Sequence, residues 1–536
     1  MISRLQKTTL VFWVLLALAS LAGGFLVYYT TAVAPWAFSD STVYIAAGVN
    51  WIKGNGMGFT QADGSYAHLL HFPPGYPVLL GLGSVLADPI SVARWIDIAS
   101  FALLIFLGGL LILKITGSKL LPLLFGALLI FSPFLLPQFS GVMSEPAAIL
   151  AGTLSLLLLV RFAAGGKKNA LVAAALLSAA ALFIRYQQAA LLLAGGVFLL
   201  AFSRGNWQTR FKDLLLYAAL SAGPFAAWLI VDSLSAGGGA RVLALRGDLV
   251  SLTQGFLARV YDTVKYWFPW RSNLLAGVNA NLMRLLLTGL FAGFLVAAWL
   301  HARKTRSRSP GIGPVTLLVA LCGIYILADL VFLWAATLVA EPPPDIDNRM
   351  LSSLLPVLFL LVLGLEHLAG HAWQRRWWVN GVLLATAALF CVVFAPEVKR
   401  FAVDMHGYGN GYTSLAFKEN GLVAGIKAIP AETPLVSNSP ALIQFFTLRE
   451  PYRAFDAPDD PNIGLTQNFG DLDTPAQSAF RQRCGALVIF DPDKIAPYDH
   501  EAQLYFPPSA YGVIAALQPA FSNALGSIYY FPGCQP

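Results

Sequence analysis

Repeated apolar runs of about 20 residues constrain this chain more than any other feature of its sequence. They lie near residues 10–30, 92–113, 120–136, 146–163, 169–184, 188–203, 213–231, 284–301, 313–339, 351–366 and 378–395. Roughly 20 apolar residues in a helix are enough to cross the hydrocarbon layer of a bilayer. The runs therefore predict a polytopic α-helical membrane protein with about eleven transmembrane helices.

Composition and charge agree with this class. Hydrophobic residues make up 57% of the 536 residues and charged residues only 12%, which excludes an ordinary soluble enzyme. Residues 1–396 contain 26 Lys and Arg against 14 Asp and Glu, whereas residues 397–536 contain 9 against 14. We therefore expect a transmembrane catalytic domain over 1–396 and a soluble domain over 397–536.

Basic residues occur mainly in short loops between alternate apolar runs, which indicates membrane topology rather than nucleic-acid binding. These loops predict a multi-pass protein of the inner (plasma) membrane. Its N-terminus is expected to be cytoplasmic and, after eleven spans, its C-terminal domain extracytoplasmic. The first run could instead be a signal peptide, because Ala32-Val33-Ala34 resembles a cleavage site. The length of the run and the position of Pro35 favour a first transmembrane helix.

Two segments predicted to lie on the outer side are long, at residues 31–91 and 232–283. Both mix apolar and polar residues, as helices lying in the headgroup layer do. One such helix is expected over 44–51, and another around Arg259 to Trp267. These segments favour an enzyme that works at the outer leaflet.

The C-terminal segment is predicted to form a small extracytoplasmic α/β domain. Its β-rich runs are 434–437, 486–490 and 527–531, and its helical patterns lie near 414–428 and 440–447. Cys484 and Cys534 are the only cysteines in this segment. An oxidising compartment would favour a disulfide between them, and the alternative is two unpaired thiols.

Several short motifs follow the apolar runs in a fixed order. Asp40 precedes Tyr44 and a small-residue stretch that ends at Gly54-Asn55-Gly56. Later motifs are His71-Phe72-Pro73-Pro74-Gly75-Tyr76-Pro77, Met143-Ser144-Glu145-Pro146, Phe183-Ile184-Arg185-Tyr186-Gln187 and Asp347-Asn348-Arg349-Met350-Leu351. Together they resemble the polyprenyl-phosphate-sugar-dependent glycosyltransferases of the GT-C fold, in particular bacterial relatives of protein O-mannosyltransferases and lipid A aminoarabinose transferases.

The resemblance implies an inverting membrane glycosyltransferase with a polyprenyl-phosphate sugar as donor and a glycan, lipid or protein as acceptor. It implies Asp40 as the general base and Glu145 as an assisting acid. We expect substrate contacts from outer or interfacial residues, namely Arg349, Arg185, Tyr44, His71, Tyr76, Lys265 and Arg271. A carboxylate suits proton removal from a hydroxyl, and guanidinium groups suit the phosphate of the leaving lipid.

Other interpretations of these residues stay open. Asp40 could cap the following helix, and Glu145 could stabilise a helix dipole. Arg185 and Arg349 could be interfacial anchors. Asp329 lies inside an apolar run and is expected to pair with an arginine.

No cofactor is certain from the sequence. His68 and His71 are three residues apart and could bind a divalent cation with Glu145 or Asp63. A transporter or flippase of lipid-linked sugars is the alternative function, since it would also contain many spans and buried charges.

Overall fold

The computed structural model describes residues 2–62, 65–69, 72–235, 242–243, 248–267, 313–341, 343–372, 376–453, 475–495 and 517–534. It is a mainly helical, multi-pass membrane protein. The chain divides into two compact units, each discontinuous in sequence. Unit 1 contains residues 1–29, 96–139 and 144–403, and unit 2 contains residues 30–95, 140–143 and 404–536.

The elements are numbered along the chain. The helices are α1 (Ile2–Thr30), α2 (Ser39–Ile52), α3 (Gly75–Ser84), α4 (Pro89–Thr116), α5 (Leu120–Ile130), α6 (Glu145–Gly165), α7 (Lys168–Ile184), α8 (Ala189–Phe202), α9 (Trp207–Ser235), α10 (Leu249–Val264), α11 (Pro314–Val339), α12 (Asn348–Leu351), α13 (Leu354–Ala372), α14 (Arg376–Tyr408), α15 (Leu415–Lys418), α16 (Gly421–Ala428), α17 (Pro440–Thr447), α18 (Pro475–Arg481) and α19 (Pro492–Ile495). The strands are β1 (Gly58–Thr60), β2 (Tyr66–His68), β3 (Val242–Leu243), β4 (Ala340–Glu341), β5 (Leu435–Ser437), β6 (Tyr452–Arg453), β7 (Ala486–Phe490), β8 (Pro519–Asn523) and β9 (Gly526–Tyr530).

Apolar helices coincide with ten of the eleven predicted spans. Six are long enough to cross a membrane, at Leu10–Thr30, Pro89–Thr116, Glu145–Gly165, Trp207–Ile230, Pro314–Val339 and Asn380–Tyr408. Four are shorter, at Leu120–Ile130, Lys168–Ile184, Tyr186–Phe202 and Leu354–Ala369. The predicted span at 284–301 lies outside the described residues.

The span predicted at 120–136 is too long. Its helix α5 ends at Ile130 and covers 11 residues, or ~16 Å at the usual rise per residue. Pro133 disfavours helical backbone at the preceding Ser132, so the helix stops before it. The helix is therefore shorter than the roughly 20 residues that cross a bilayer.

Helix α6 shows how local sequence determines a boundary. Pro146 stands in the first turn, where its missing N–H costs nothing. Gly166 caps the other end with a left-handed backbone (φ 73°), which glycine adopts without steric penalty. These two residues place Glu145 at one end of the helix.

A chain of hydroxyl hydrogen bonds ties helices together inside the apolar core of unit 1. Ser155 on α6 donates to the carbonyl of Ala174 on α7 (2.8 Å), and its Oγ lies 2.7 Å from that of Ser178. The hydroxyls of Ser178 and Tyr217 are 2.8 Å apart, and Tyr217 donates to the Leu191 carbonyl at 3.1 Å. Such bonds fix the register of helices whose apolar surfaces alone would pack in several ways.

Unit 2 contains a five-stranded mixed sheet with the order β6-β5-β7-β9-β8. Strand β5 is parallel to β6 and β7, while β9 is antiparallel to β7 and β8. The strands β5, β7 and β9 and the helices α15 to α17 confirm the predicted α/β character of the C-terminal segment. Strands β6 and β8 were not predicted, because β6 has only two residues and β8 begins at a proline.

The segment that follows α1 packs against the C-terminal part of unit 2. Tyr412 donates its backbone N–H to the Ala37 carbonyl (2.8 Å), and Thr413 Oγ1 donates to the Pro35 carbonyl (2.7 Å). Farther along, Thr42 Oγ1 donates to the Ala441 carbonyl of α17 (3.4 Å). Segments separated by about 400 residues in sequence therefore form one compact unit.

The predicted disulfide between Cys484 and Cys534 is present, with Cα atoms 5.1 Å apart. It closes a loop of 50 residues. Replacing both cysteines by serine should lower the stability of unit 2 by roughly 4 kcal/mol, because the open chain gains conformational freedom when unfolded. Thermal unfolding of the purified protein, with peptide mass spectrometry under non-reducing conditions, measures this effect.

Cys391→Ser is the matched control, because the Cys391 thiol takes part in no disulfide. Equal thermal stability of the double variant and this control would contradict a stabilising role for the bond.

Candidate active site

A buried carboxylate organises the polar centre of unit 1. Glu145 begins α6 and is only 2% exposed. Its Oε1 lies 2.5 Å from a terminal nitrogen of Arg185 and 3.7 Å from Nε of Arg349. The sequence-predicted Glu145, Arg185 and Arg349 therefore form one cluster of a carboxylate with two guanidinium groups.

Arg185 reaches this cluster because the chain breaks between two helices. Helix α7 ends at Ile184, Arg185 is extended (φ −147°, ψ 128°), and one 3-10 turn at Tyr186–Gln188 leads into α8. The Arg185 guanidinium also donates to Ser144 Oγ (3.2 Å) and contacts the sulfur of Met350 (3.2 Å). These contacts make the half-buried Arg185 an ion-pair partner of Glu145.

Arg349 stands on α12, a single turn before α13. Asp347 caps this turn by accepting the Met350 backbone N–H at 2.8 Å. The Arg349 side chain is 27% exposed, whereas that of Arg185 is 13% exposed. Arg349 is therefore the more accessible of the two cations that face Glu145.

A second buried carboxylate lies near the cluster. Gln187 donates to both carboxylate oxygens of Asp329 on α11, at 3.1 and 3.0 Å, and to the Met350 carbonyl at 2.7 Å. The side chain that donates hydrogen bonds to Asp329 is therefore the Gln187 amide and not the predicted arginine. Arg185 and Gln187 both lie in the break between α7 and α8. This single turn therefore supplies the ion pair to Glu145 and the hydrogen bonds to Asp329.

Lys265, another predicted substrate contact, follows α10. It forms an ion pair with Asp262, and its ammonium lies 5.3 Å from the centre of the Tyr266 ring. Two residues on, Trp267 Nε1 donates to Asn348 Oδ1 at 2.9 Å, which connects this segment to α12. The structure therefore brings the Lys265 segment to the Arg349 turn, but the Lys265 charge is paired locally. Arg271 lies outside the described residues.

In unit 2, Asp40 lies half-buried in the first turn of α2. The capping interpretation of Asp40 is not supported, because the N-cap position is Phe38 and the nearby Ser41 hydroxyl accepts the Phe38 N–H (3.1 Å). Ser41 Oγ also donates to the Val142 carbonyl at 2.9 Å. A neighbouring serine thus anchors the start of the helix.

Tyr44 and Tyr76 come together between α2 and α3. Their ring centres are 5.2 Å apart and nearly perpendicular, and Phe72 lies 4.8 Å from Tyr44. Tyr44 is one helical turn after Asp40 and is 4% exposed, while Tyr76 is fully buried. The structure thus places both tyrosines, predicted as substrate contacts, in one buried aromatic cluster.

Two glycines allow α2 and α3 to touch. A Cβ atom at Gly48 would lie 2.5 Å from the Pro77 carbonyl oxygen, and one at Gly81 would lie 2.5 Å from the Gly48 carbonyl oxygen. Both obstacles are backbone atoms, so a side chain at either position requires the helices to move apart. No motif in the sequence predicted that these glycines form a helix contact, although Gly48 follows the small pair Ala46-Ala47.

The predicted divalent-cation site is only partly described. His68 ends β2 and makes an edge-to-face contact with Tyr66, with ring centres 5.2 Å apart. His71 and Asp63 lie outside the described residues. Among the described residues, no group of three His, Cys, Asp or Glu side chains could hold a metal ion.

The fold has well-aligned counterparts among solved structures. ArnT from Cupriavidus metallidurans bound to undecaprenyl phosphate superposes with a TM-score of 0.60, over 96% of this chain and 97% of ArnT, at 12% sequence identity. The apo form of the same protein gives a TM-score of 0.57 over the same shares of both chains, also at 12% identity. The chain has the GT-C fold.

Comparison of sequences, unlike comparison of structures, finds no match. No protein-family model and no curated protein sequence matches the chain. The oligosaccharyltransferase of Archaeoglobus fulgidus is a more distant structural match, with a TM-score of 0.49 and 12% identity over 92% of this chain and 72% of that protein.

We expect Gly48→Ala to destabilise the protein by about 1–3 kcal/mol, the usual cost of an added carbon in a tight contact. The physical reason is the 2.5 Å approach to the Pro77 carbonyl oxygen. Thermal unfolding in detergent measures the change. Gly323→Ala on α11 is the control, because its added Cβ has open space and the next residue is not a proline. If the two variants unfold at the same temperature, close contact between α2 and α3 does not contribute to stability.

Proposed function

We propose that the protein is a membrane glycosyltransferase that transfers a monosaccharide from a polyprenyl-phosphate donor to an acceptor hydroxyl. The observation that carries the proposal is the Glu145–Arg185–Arg349 cluster within a fold like that of ArnT. ArnT was crystallised with undecaprenyl phosphate, which supports a polyprenyl phosphate as the lipid carrier here. We further propose that the reaction takes place at the outer face of the inner membrane.

The proposed reaction is a single displacement. The acceptor oxygen forms a bond to the anomeric carbon while the bond from that carbon to the phosphate oxygen breaks. The electron pair leaves with the polyprenyl phosphate, and the Asp40 carboxylate takes the hydroxyl proton. Attack from the face opposite the leaving group inverts the anomeric centre. A positioned carboxylate base is well suited to this proton transfer.

The leaving phosphate gains negative charge as the bond breaks, so a cation must face it. Arg349 suits this role because a guanidinium can donate two parallel hydrogen bonds to phosphate, and its side chain is partly exposed. Glu145 would hold Arg349 and Arg185 in place through its shared oxygen. In this proposal Glu145, which the sequence suggested as an assisting acid, instead orients the two cations.

A lipid-linked-sugar flippase remains the competing function. Purified protein in proteoliposomes, supplied with labelled polyprenyl-phosphate monosaccharides and a cell-envelope fraction as acceptor, separates the two functions. Transfer of label to the envelope material supports the enzyme. Movement of intact labelled lipid between leaflets without transfer supports the flippase and contradicts the proposal.

Asp40→Asn should reduce transfer by at least a hundredfold, since general-base contributions are typically about 10²–10⁴-fold. The amide keeps the size of the side chain but cannot accept the proton. Initial rates of label transfer measure the effect. Asp88→Asn is the matched control, because Asp88 accepts the N–H groups of Ile90 and Ser91 at the start of α4 and an amide oxygen can do the same. Normal turnover by Asp40→Asn would exclude Asp40 as the base.

Arg349→Ala should weaken donor use more than acceptor use. A lost charge-assisted contact is worth about 1.5–3 kcal/mol, or roughly 10- to 150-fold in donor kcat/KM. Kinetics with each substrate varied in turn measure the two effects. Arg259→Ala is the control, since the exposed Arg259 pairs with the exposed Asp345 at 2.7 Å. An unchanged donor kcat/KM would show that Arg349 does not bind the phosphate.

A further inference from the structure

Unit 1 contains a cavity of about 510 Å³ at the helix ends opposite Glu145 on α6. It lies where α4 ends, α6 ends and α7 begins. Three cations line it, Lys114, Arg161 and Lys167, and the neutral Asn169 is beside them. Its other lining residues are apolar or small, such as Leu158 and Ala173, and none of the described lining residues is acidic.

Arg161 is the unusual member of this group. It is half-buried on α6, four residues before the helix ends at Gly165. Elsewhere in unit 1, the half-buried Arg185 pairs with Glu145, and the buried Asp213 pairs with Lys168. Among the side chains that the structure describes, Arg161 has no such carboxylate partner. The residues of unit 1 outside the described ranges contain no Asp or Glu, and Asp232, whose side chain is not described, lies at the opposite end of α9 from Asp213.

An unpaired guanidinium within a membrane protein is costly, and such groups generally pair or reach a polar ligand. The lysines extend the positive charge from Arg161 to the end of the cavity. The apolar wall is suited to the glycerol and first acyl carbons of a lipid. Basic pockets between transmembrane helices on the cytoplasmic side typically bind acidic lipid headgroups. The alternating basic loops predict that this end of the helices is cytoplasmic.

We propose that the Lys114–Arg161–Lys167 cavity binds the phosphate headgroup of an anionic membrane phospholipid. Arg161 would contact the phosphate, and the two lysines would select an anionic headgroup over a zwitterionic one by charge. The bound lipid would neutralise Arg161 and connect the ends of α4, α6 and α7. This inference is independent of the proposed glycosyl transfer.

Native mass spectrometry of the full-length protein, titrated with phosphatidylglycerol or with phosphatidylcholine, tests the site. We expect preferential retention of phosphatidylglycerol by the unmodified protein. Arg161→Gln should weaken that binding about fivefold, and Lys114→Gln with Lys167→Gln should weaken it roughly 25-fold, at ~1 kcal/mol for each charge. Arg161→Lys keeps the charge and should retain most of the binding.

Controls remove the same number of charges from the same end of the helices but outside the cavity. Lys212→Gln matches the single variant, and Lys119→Gln with Lys212→Gln matches the double variant. Equal weakening by the controls would overturn the proposal, because it would indicate general surface charge. Equal binding of phosphatidylcholine would also overturn it, as would displacement of phosphatidylglycerol by millimolar inorganic phosphate, which would indicate a site for the free ion.

Discussion

The pairing of Glu145 with two arginines is the constraint on which the polar centre of unit 1 depends. A buried carboxylate without a partner would destabilise the protein by about 3–5 kcal/mol. Its partners come from the break between α7 and α8 and from the α12 turn, about 40 and 200 residues farther along the chain. Charge neutralisation therefore holds three distant segments in one arrangement.

Neighbouring polar contacts strengthen the same arrangement. Gln187 joins the α7–α8 break to Asp329 on α11 and to the Met350 carbonyl, next to Arg349. Asn348 donates to the Phe134 carbonyl at 3.0 Å and accepts from Trp267. The α12 turn is thus held on both sides of Arg349. A guanidinium whose supporting backbone is fixed loses little freedom when it binds an anion, which favours binding.

Unit 2 follows a different principle, because close backbone packing rather than charge holds its first helices. The absence of side chains at Gly48 and Gly81 lets α2 and α3 touch, and the Tyr44, Phe72 and Tyr76 rings fill the space beside them. The start of α2 is held by Ser41, so Asp40 stands on a rigid turn.

Local features of the sequence were sufficient to predict most helices, since the length and hydrophobicity of a run decide whether it can cross a bilayer. They also predicted strands at 434–437, 486–490 and 527–531, which the structure has as β5, β7 and β9, and the Cys484–Cys534 bond. The apolar run at 120–136 overestimates the length of α5, because hydrophobicity continues past the point where Pro133 disfavours a helix. Predictions at His71 and Arg271 lie outside the described residues.

The tertiary structure alone decided which residues meet. The sequence by itself suggested Glu145, Arg185 and Arg349 as separate candidates, but their shared ion pairs depend on how distant helices pack. The same is true of Gln187 as the partner of Asp329, and of the joining of residues 31–91 with the C-terminal segment in one unit. The length of an apolar run is a property of one segment and can be found in the sequence. Charge pairing and backbone contact arise only when distant segments meet in space, so no local pattern in a single sequence encodes them.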